Sequence, residues 1–148
     1  MPEVSRKLEL VFQHAERFRE SRAPHLRRWL SELVREIAPK ADSFAVSFVD
    51  DSEMRELNRS FRGLDASTDV LSFPGETTLE GWHLGDVAVS VETARRQAEP
   101  ARRSSYREVQ TLLLHGVLHC LGYDHENDTG EMSQLESRLR RDWIPDGR

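Results

Sequence analysis

The stretch His115-Gly116-Val117-Leu118-His119-Cys120-Leu121-Gly122-Tyr123-Asp124-His125 organises the reading of this 148-residue chain. Its three histidines fall at offsets zero, four and ten, with a glycine at offset seven. An offset of four puts His115 and His119 on one face of a helix, one turn apart. Gly122 lets the chain leave that helix through a left-handed C-cap, and the reversal returns His125 toward the same point. Three neutral imidazoles with a fourth position open is the layout of a catalytic zinc site, whereas a structural zinc is more often closed by four ligands that include Cys. The expectation is one Zn²⁺ per chain, or another divalent transition metal, held by His115, His119 and His125. The plain alternative is a helix with two ordinary histidines and a third in a loop.

The spacing follows the zinc-peptidase pattern H-E-x-x-H-x-x-G-x-x-H with one large difference. Gly116 stands where a peptidase carries its general-base Glu. The metal cage is kept and the proton shuttle is missing. That leans toward phosphodiester rather than peptide chemistry, unless another carboxylate reaches the site in space.

Outward from the motif, the length suits one domain, residues 1–148, with one substantial core. No apolar run approaches the roughly 20 residues that span a bilayer, and the first residues lack the apolar core of a secretory signal. Together with a single cysteine these features lead us to expect a cytoplasmic protein with no membrane partner. Cys120, beside His119 in an apolar run, reads as a small core residue rather than a fourth ligand. A net charge of -5 argues against nonspecific wrapping of nucleic acid but leaves room for a local basic site. Arg95, Arg96, Arg102, Arg103 and Arg107 precede the His segment, and Arg55, Arg59 and Arg62 form a second group; solvated helix faces are the simplest reading of both.

Periodicity supplies the frame. Leu8, Leu10 and Phe12 alternate as in a strand, and so do Phe44, Val46 and Phe48. Leu26, Leu30, Leu33 and Ile37 recur at helical spacing between Pro24 and Pro39. Asp51 or Ser52 is expected to cap a short helix carrying Met54, Leu57 and Phe61. Thr68–Pro74 and Asp86–Val91 read as two further strands, and Ser90 as the cap of a helix through Glu99. Ser105-x-x-Glu108 is read as the capping box of the His helix, and Asp128-x-x-Glu131 opens a last helix with Met132, Leu135, Leu139 and Trp143 inward. The order β-α-β-α-β-β-α-α-α predicts an α+β fold, a small mixed sheet of about four strands with about five helices. Its strand-helix-strand start favours a parallel pair through a right-handed crossover.

Three segments in this order resemble the YbeY family of bacterial endoribonucleases: Leu57-Asn-Arg-Ser-Phe-Arg62-Gly-Leu-Asp65 with Thr68-Asp-Val-Leu-Ser-Phe-Pro74, then Leu84-Gly-Asp-Val87, then the His run. The resemblance extends from about Phe44 to Leu139. It implies a zincin-like site of three His and metal-dependent cleavage of single-stranded RNA. It also implies a role in ribosomal RNA maturation, notably at the 3′ end of the small-subunit RNA, and in ribosome quality control, with the ribosome and its small subunit as partners in a bacterial cytoplasm. Its metal ligands correspond to His115, His119 and His125, and its functional arginine to Arg62. Ser67 and Gly75 depart from the family's commoner Pro and large apolar residue, which suggests a looser loop between Arg62 and the strand.

On this reading Arg62 and His115 are the catalytic candidates, with Arg62 holding phosphate oxygens through its planar fork of donors. A pairing of Arg62 with Asp65 or Asp69 is the structural alternative. Asp124 is either an acceptor that orients a ligand imidazole or a turn residue. Asp86, after Gly85, reads as a turn residue, and His14, His25 and His83 as ordinary histidines. Two further functions stay open: a metal-dependent peptidase or amidase, and a non-catalytic ribosome-assembly factor whose metal stabilises the fold.

Overall fold

Phe44, Val46 and Phe48 all point to one face of the central strand and are at most 1% exposed. The sheet is built outward from that strand. The computed structural model describes residues 7–124, 126 and 128–145. Strands β1 (Glu9–Gln13), β2 (Ser43–Val49), β3 (Val70–Pro74) and β5 (Gly81–Ser90) lie in the order β1-β2-β5-β3, and the two-residue β4 (Thr77–Thr78) pairs with β5. β1 runs parallel to β2 and β2 parallel to β5, while β3 is antiparallel to β5. The expected mixed α+β sheet and the parallel opening pair are therefore present. β4 was not foreseen, and β5 starts at Gly81 rather than Asp86, so Asp86 is a strand residue and not a turn residue.

The helices are α1 (Pro24–Ile37), α2 (Asp51–Arg62), α3 (Val91–Ala98), α4 (Ser105–Cys120) and α5 (Glu131–Trp143). Alternation along β2 and β5 divides the sheet into two faces. The larger core takes Phe44, Val46, Phe48, Val87 and Val89 from the sheet and packs them on Leu30, Leu33, Leu113 and Val117. The smaller core, Val49, Met54, Leu71 and Ala88 with Leu57 and Phe73, lies under α2. α4 carries the main load: Leu113, Leu114, Val117 and Leu118 are fully buried, each stabilising the fold by roughly 1.5–3 kcal/mol. A helix held this way is a rigid mount for side chains on its remaining open edge. No helix among the described residues is long and apolar enough to cross a membrane.

Candidate active site on the open edge of α4

Between residues 107 and 120, α4 is buried everywhere except at Arg107, Thr111, His115 and His119. These recur every four residues and so form one row along the helix. The helix begins one residue before the expected box: the Ser104 hydroxyl accepts the Arg107 backbone N–H at 3.1 Å. Glu108, released from capping, is buried and pairs with Arg103 at 3.5 Å.

At the other end of the row, Nε2 of His115 and Nε2 of His119 face each other at 3.0 Å. Nδ1 of His115 lies 3.1 and 3.3 Å from the two carboxylate oxygens of Glu136 on α5. The hydrogen bond to Glu136 pushes the His115 pKa up; burial opposes it, and Glu136 and Asp69 add through their charges. With Nδ1 as donor, the lone pair of His115 is left on Nε2, turned toward His119.

Two nitrogens bound at about 2.0–2.1 Å to one tetrahedral zinc lie about 3.3–3.4 Å apart. The observed pair is within a few tenths of an ångström of that, and a His115 that donates from Nδ1 to Glu136 offers Nε2 as the ligand atom. The residues present therefore fit a divalent transition metal. Among the described residues no group of three His, Cys, Asp or Glu side chains converges on one point; the third expected ligand, His125, lies outside the described residues. The chain does reverse where expected. Gly122 has φ +98°, its N–H donates to the His119 carbonyl at 2.9 Å, and the Tyr123 N–H donates to the Leu118 carbonyl at 3.1 Å.

Glu136 was missed by the sequence reading. It falls four residues after Met132 and three before Leu139, a carboxylate inside an otherwise apolar stripe, and that placement was the available signal. Asp124 accepts the Glu126 backbone N–H at 2.9 Å, so it shapes the local turn. The carboxylate seen on an imidazole of the pair is that of Glu136.

Gly116 explains itself by packing. A Cβ there would meet the Val87 methyls at 2.8 and 2.9 Å and Ser72 Oγ at 3.2 Å. The position a peptidase gives to its general base is here pressed onto the sheet, with no room for a carboxylate. Cys120 is buried as expected, and burial, with the nearby Asp86, pushes its thiol up to about 12. Its side chain packs against Gly85 of β5, which is the placement of a small core residue.

Arg62 ends α2, just before a left-handed Gly63 cap. The helix opens at Asp50, one residue earlier than expected, in a reciprocal box with Glu53. Asp51 instead accepts from Ser90, Thr93 and Arg96 at 2.6–2.7 Å and ties α2 to α3. Neither suggested partner takes Arg62. Asp65 pairs with Arg55 at 2.7 and 3.0 Å, and Asp69 accepts from the Val70 N–H and from Gln97. Arg62 is exposed and makes no hydrogen bond or ion pair among the described residues. Its neighbour Phe61 packs on Phe73 with ring centres 5.1 Å apart. The end of α2 thus rests on β3, the edge strand whose Ser72 lies beneath Gly116.

Ser67 and Gly75, the two departures from the family's commoner pattern, both make contacts. Asn58 donates to the Ala66 carbonyl at 2.8 Å and Ser67 reaches Asp51 at 3.4 Å, which hold the loop. The Gly75 N–H donates to Leu84 at 2.9 Å, and a Cβ at 75 would overlap the His83 carbonyl oxygen. A large residue is excluded there by the closeness of β5. His83 itself bonds Ser43 at 2.7 Å and Asp86 at 3.3 Å, away from the row.

A family profile described as Endoribonuclease YbeY matches residues 12–143. The chain is 45% identical to the endoribonuclease YbeY of Solibacter usitatus over 80% of its length and 78% of the relative's. It is 40% identical to that of Campylobacter jejuni over 75% of its length and 81% of the relative's. The solution structure of TM1509 from Thermotoga maritima superposes with a TM-score of 0.59 at 24% identity, covering 95% of this chain and 99% of that one, which is a likeness of fold.

Proposed function

Since the chain belongs to the endoribonuclease YbeY family of RNA-cleaving hydrolases, we propose that it is a metal-dependent, single-strand-specific endoribonuclease. We further infer that it acts in ribosomal RNA maturation, at the 3′ end of the small-subunit RNA, and in ribosome quality control in the cytoplasm. The observation that carries the reading is the facing Nε2 pair of His115 and His119 with Glu136 behind it.

His115, His119 and His125 would hold a single divalent metal, with Zn²⁺ the simplest choice for an all-imidazole set. When bound, the metal supplies a Lewis acid for the scissile phosphate and a means of ionising water near neutral pH. The chain's own groups do the rest. Glu136 fixes the tautomer and the ring orientation of His115. Arg62 is uncommitted among the described residues, and its planar donor fork suits two oxygens of a phosphate that gains charge toward the transition state. Sealing of position 116 removes the base that amide hydrolysis would draw on, which favours the phosphodiester over the peptidase reading.

The test is cleavage of a labelled single-stranded RNA by zinc-loaded protein, beside EDTA-treated protein, His119→Ala and Arg62→Ala, each checked for folding. We expect loss on chelation and with His119→Ala, and a fall of about 10²-fold with Arg62→Ala. Cleavage that survives both chelation and His119→Ala would sink the mechanism. No cleavage by the intact, metal-loaded protein, with the His119→Ala protein merely melting earlier, would point to an assembly factor with a stabilising metal.

A further inference from the structure

The row on α4 does not stop at the histidines. Its far end opens into a groove of about 510 Å³ between the start of α4 and the end of α5, lined by Arg102, Arg103, Arg107, Arg140, Arg141 and Ser137 among others. Five guanidinium groups share one concavity on a chain whose net charge is -5. Among the described residues no carboxylate lines it. The nearest acid on α4, Glu108, is buried and already paired with Arg103. Arg107 donates to Gln110 at 2.8 Å, and Arg103 to Thr111 at 3.0 Å. Arg102, Arg140 and Arg141 make no hydrogen bond or ion pair among the described residues. Arg102 is held at φ +55°, a conformation uncommon for a residue with a side chain.

Glu108 offsets Arg103 and, through its charge, Arg140; the remaining guanidinium groups gathered in one groove repel, and a groove that collects them is suited to an anion with several charges. The groove also has a direction. α4 and α5 pair so that Glu136 meets His115, while Arg107 and Arg140 share the groove. From His115 back to Arg107 is eight residues, about 12 Å of helix at 1.5 Å each, and half-buried Thr111 lies between them on the same row. A few nucleotides of single strand cover that span.

We propose that this groove seats backbone phosphates of the RNA strand whose cleaved phosphate lies at the His115–His119 pair. The proposal rests on the endoribonuclease reading above for the second half of that statement, and on the arginine geometry alone for the first. Guanidinium groups bind phosphate oxygens in two-point fashion without reading bases, so the groove adds length-dependent affinity and register rather than sequence preference.

The experiment is a binding titration of the full-length, EDTA-treated protein with a fluorescein-labelled 12-nucleotide single-stranded RNA, read by anisotropy from 50 to 200 mM salt. Arg140→Gln with Arg141→Gln is compared with a charge-matched control on α1, Arg28→Gln with Arg35→Gln. We expect the groove pair to weaken binding about tenfold and to lower the salt slope by about 1.4, two contacts at about 0.7 each for a single strand. The control pair should change affinity less than twofold. Arg102→Gly, which suits the left-handed backbone and so spares the fold, should weaken binding about threefold by the same loss of one contact.

Equal affinity and equal slope for groove and control variants would overturn the proposal. So would a glutamate-rich peptide of matched charge that binds as tightly and loses affinity in the same variants, which would make the groove a docking site for acidic protein. In cleavage, the groove pair should raise KM for the 12-nucleotide substrate with kcat unchanged, and should leave a trinucleotide unaffected. If the intact protein cleaves nothing while the groove variants still lose RNA affinity, the catalytic reading fails and the phosphate groove stands.

Discussion

Two carboxylates in this protein each receive a basic side chain from a distant part of the chain, and the contrast between them separates support from function. Glu20, 2% exposed, takes both forks of Arg95 from α3 at 2.7 and 2.8 Å. Glu136 takes Nδ1 of His115 at 3.1 Å. In the first pair the guanidinium is oriented wholly toward its acceptor and packs near Phe18. In the second, the base has another nitrogen, and that nitrogen points at His119. The same kind of contact fixes a fold where the cation is consumed, and aims a reactive atom where the base is bifunctional.

The largest effect should come from breaking the first pair. Glu20→Ala leaves a guanidinium that has lost its bidentate partner, and because the Arg95 side chain is 40% exposed water takes over part of its solvation. The loss is then that of charge-assisted hydrogen bonds rather than of a buried ion pair, about 2 kcal/mol. At roughly 2–4 °C per kcal/mol for a chain of this size, Tm should fall by about 4–8 °C. Urea unfolding measures it, and RNA cleavage per folded molecule should be unchanged. A large loss of turnover in the folded variant would erase the distinction between the two carboxylates.

The pH dependence sharpens the same point. Burial pushes the Glu20 carboxyl up, but the Arg95 hydrogen bond, with further hydrogen bonds from the backbone and Ser105, outweighs it and holds the group at about 2 against an ordinary 4.5. A depressed folded-state pKa means the stabilisation is complete above the ordinary value and is lost as pH falls toward the folded one. The stability gap between the natural protein and Glu20→Gln should therefore be constant from pH 7 to 5 and close between about 4.5 and 2. A gap that stays open at pH 2 would mean that packing, not charge, makes Glu20 matter.

Breaking the second pair should act on chemistry instead. Glu136→Gln keeps an acceptor for Nδ1 but drops the charge that raises the basicity of His115. Loss of such an outer partner costs about 10–100-fold in metal affinity or activity, and keeping the acceptor argues for about tenfold. Calorimetric titration with Zn²⁺ reads it, and because the amide oxygen keeps an acceptor for Nδ1 the stability of the chelated protein should change by about 1 kcal/mol or less. Unaltered zinc affinity with a drop in stability would reduce Glu136 to another Glu20.

The two carboxylates also mark what the sequence discloses and what it withholds. Period-two alternation in Phe44–Phe48 and helical spacing in Leu26–Ile37 state β2 and α1 directly, because each buries one face. The His115–His119 pair follows from helix geometry alone. Caps were displaced by one residue where neighbours are chemically equivalent, as with Asp50 and Asp51 or Ser104 and Ser105. The first half of β5 was missed because Trp82, His83 and Gly85 break the alternation, and Gly85 is there so that Cys120 can pack against the strand. Glu20 and Glu136 were invisible for a different reason. Their partners are 75 and 21 residues away, and only the fold brings them together.

The smallest effect belongs to the residue between the histidines, and it decides between two opposed terms. Gly116→Ala gains about 1 kcal/mol of helix propensity. Against this, its Cβ would stand 2.8 Å from a Val87 methyl, and overpacking a tight helix–sheet contact costs about 1–3 kcal/mol. Val87 is 1% exposed on the central strand β5 and cannot swing away cheaply, so the steric term wins by about 1 kcal/mol. The helix relieves that contact by lifting from the sheet, and His115 moves with it. A fall of Tm by about 2–4 °C with a loss of zinc affinity smaller than that of Glu136→Gln is expected. A stabilised Gly116→Ala would show that α4 already stands off the sheet, and that the His pair is aimed by Glu136 alone.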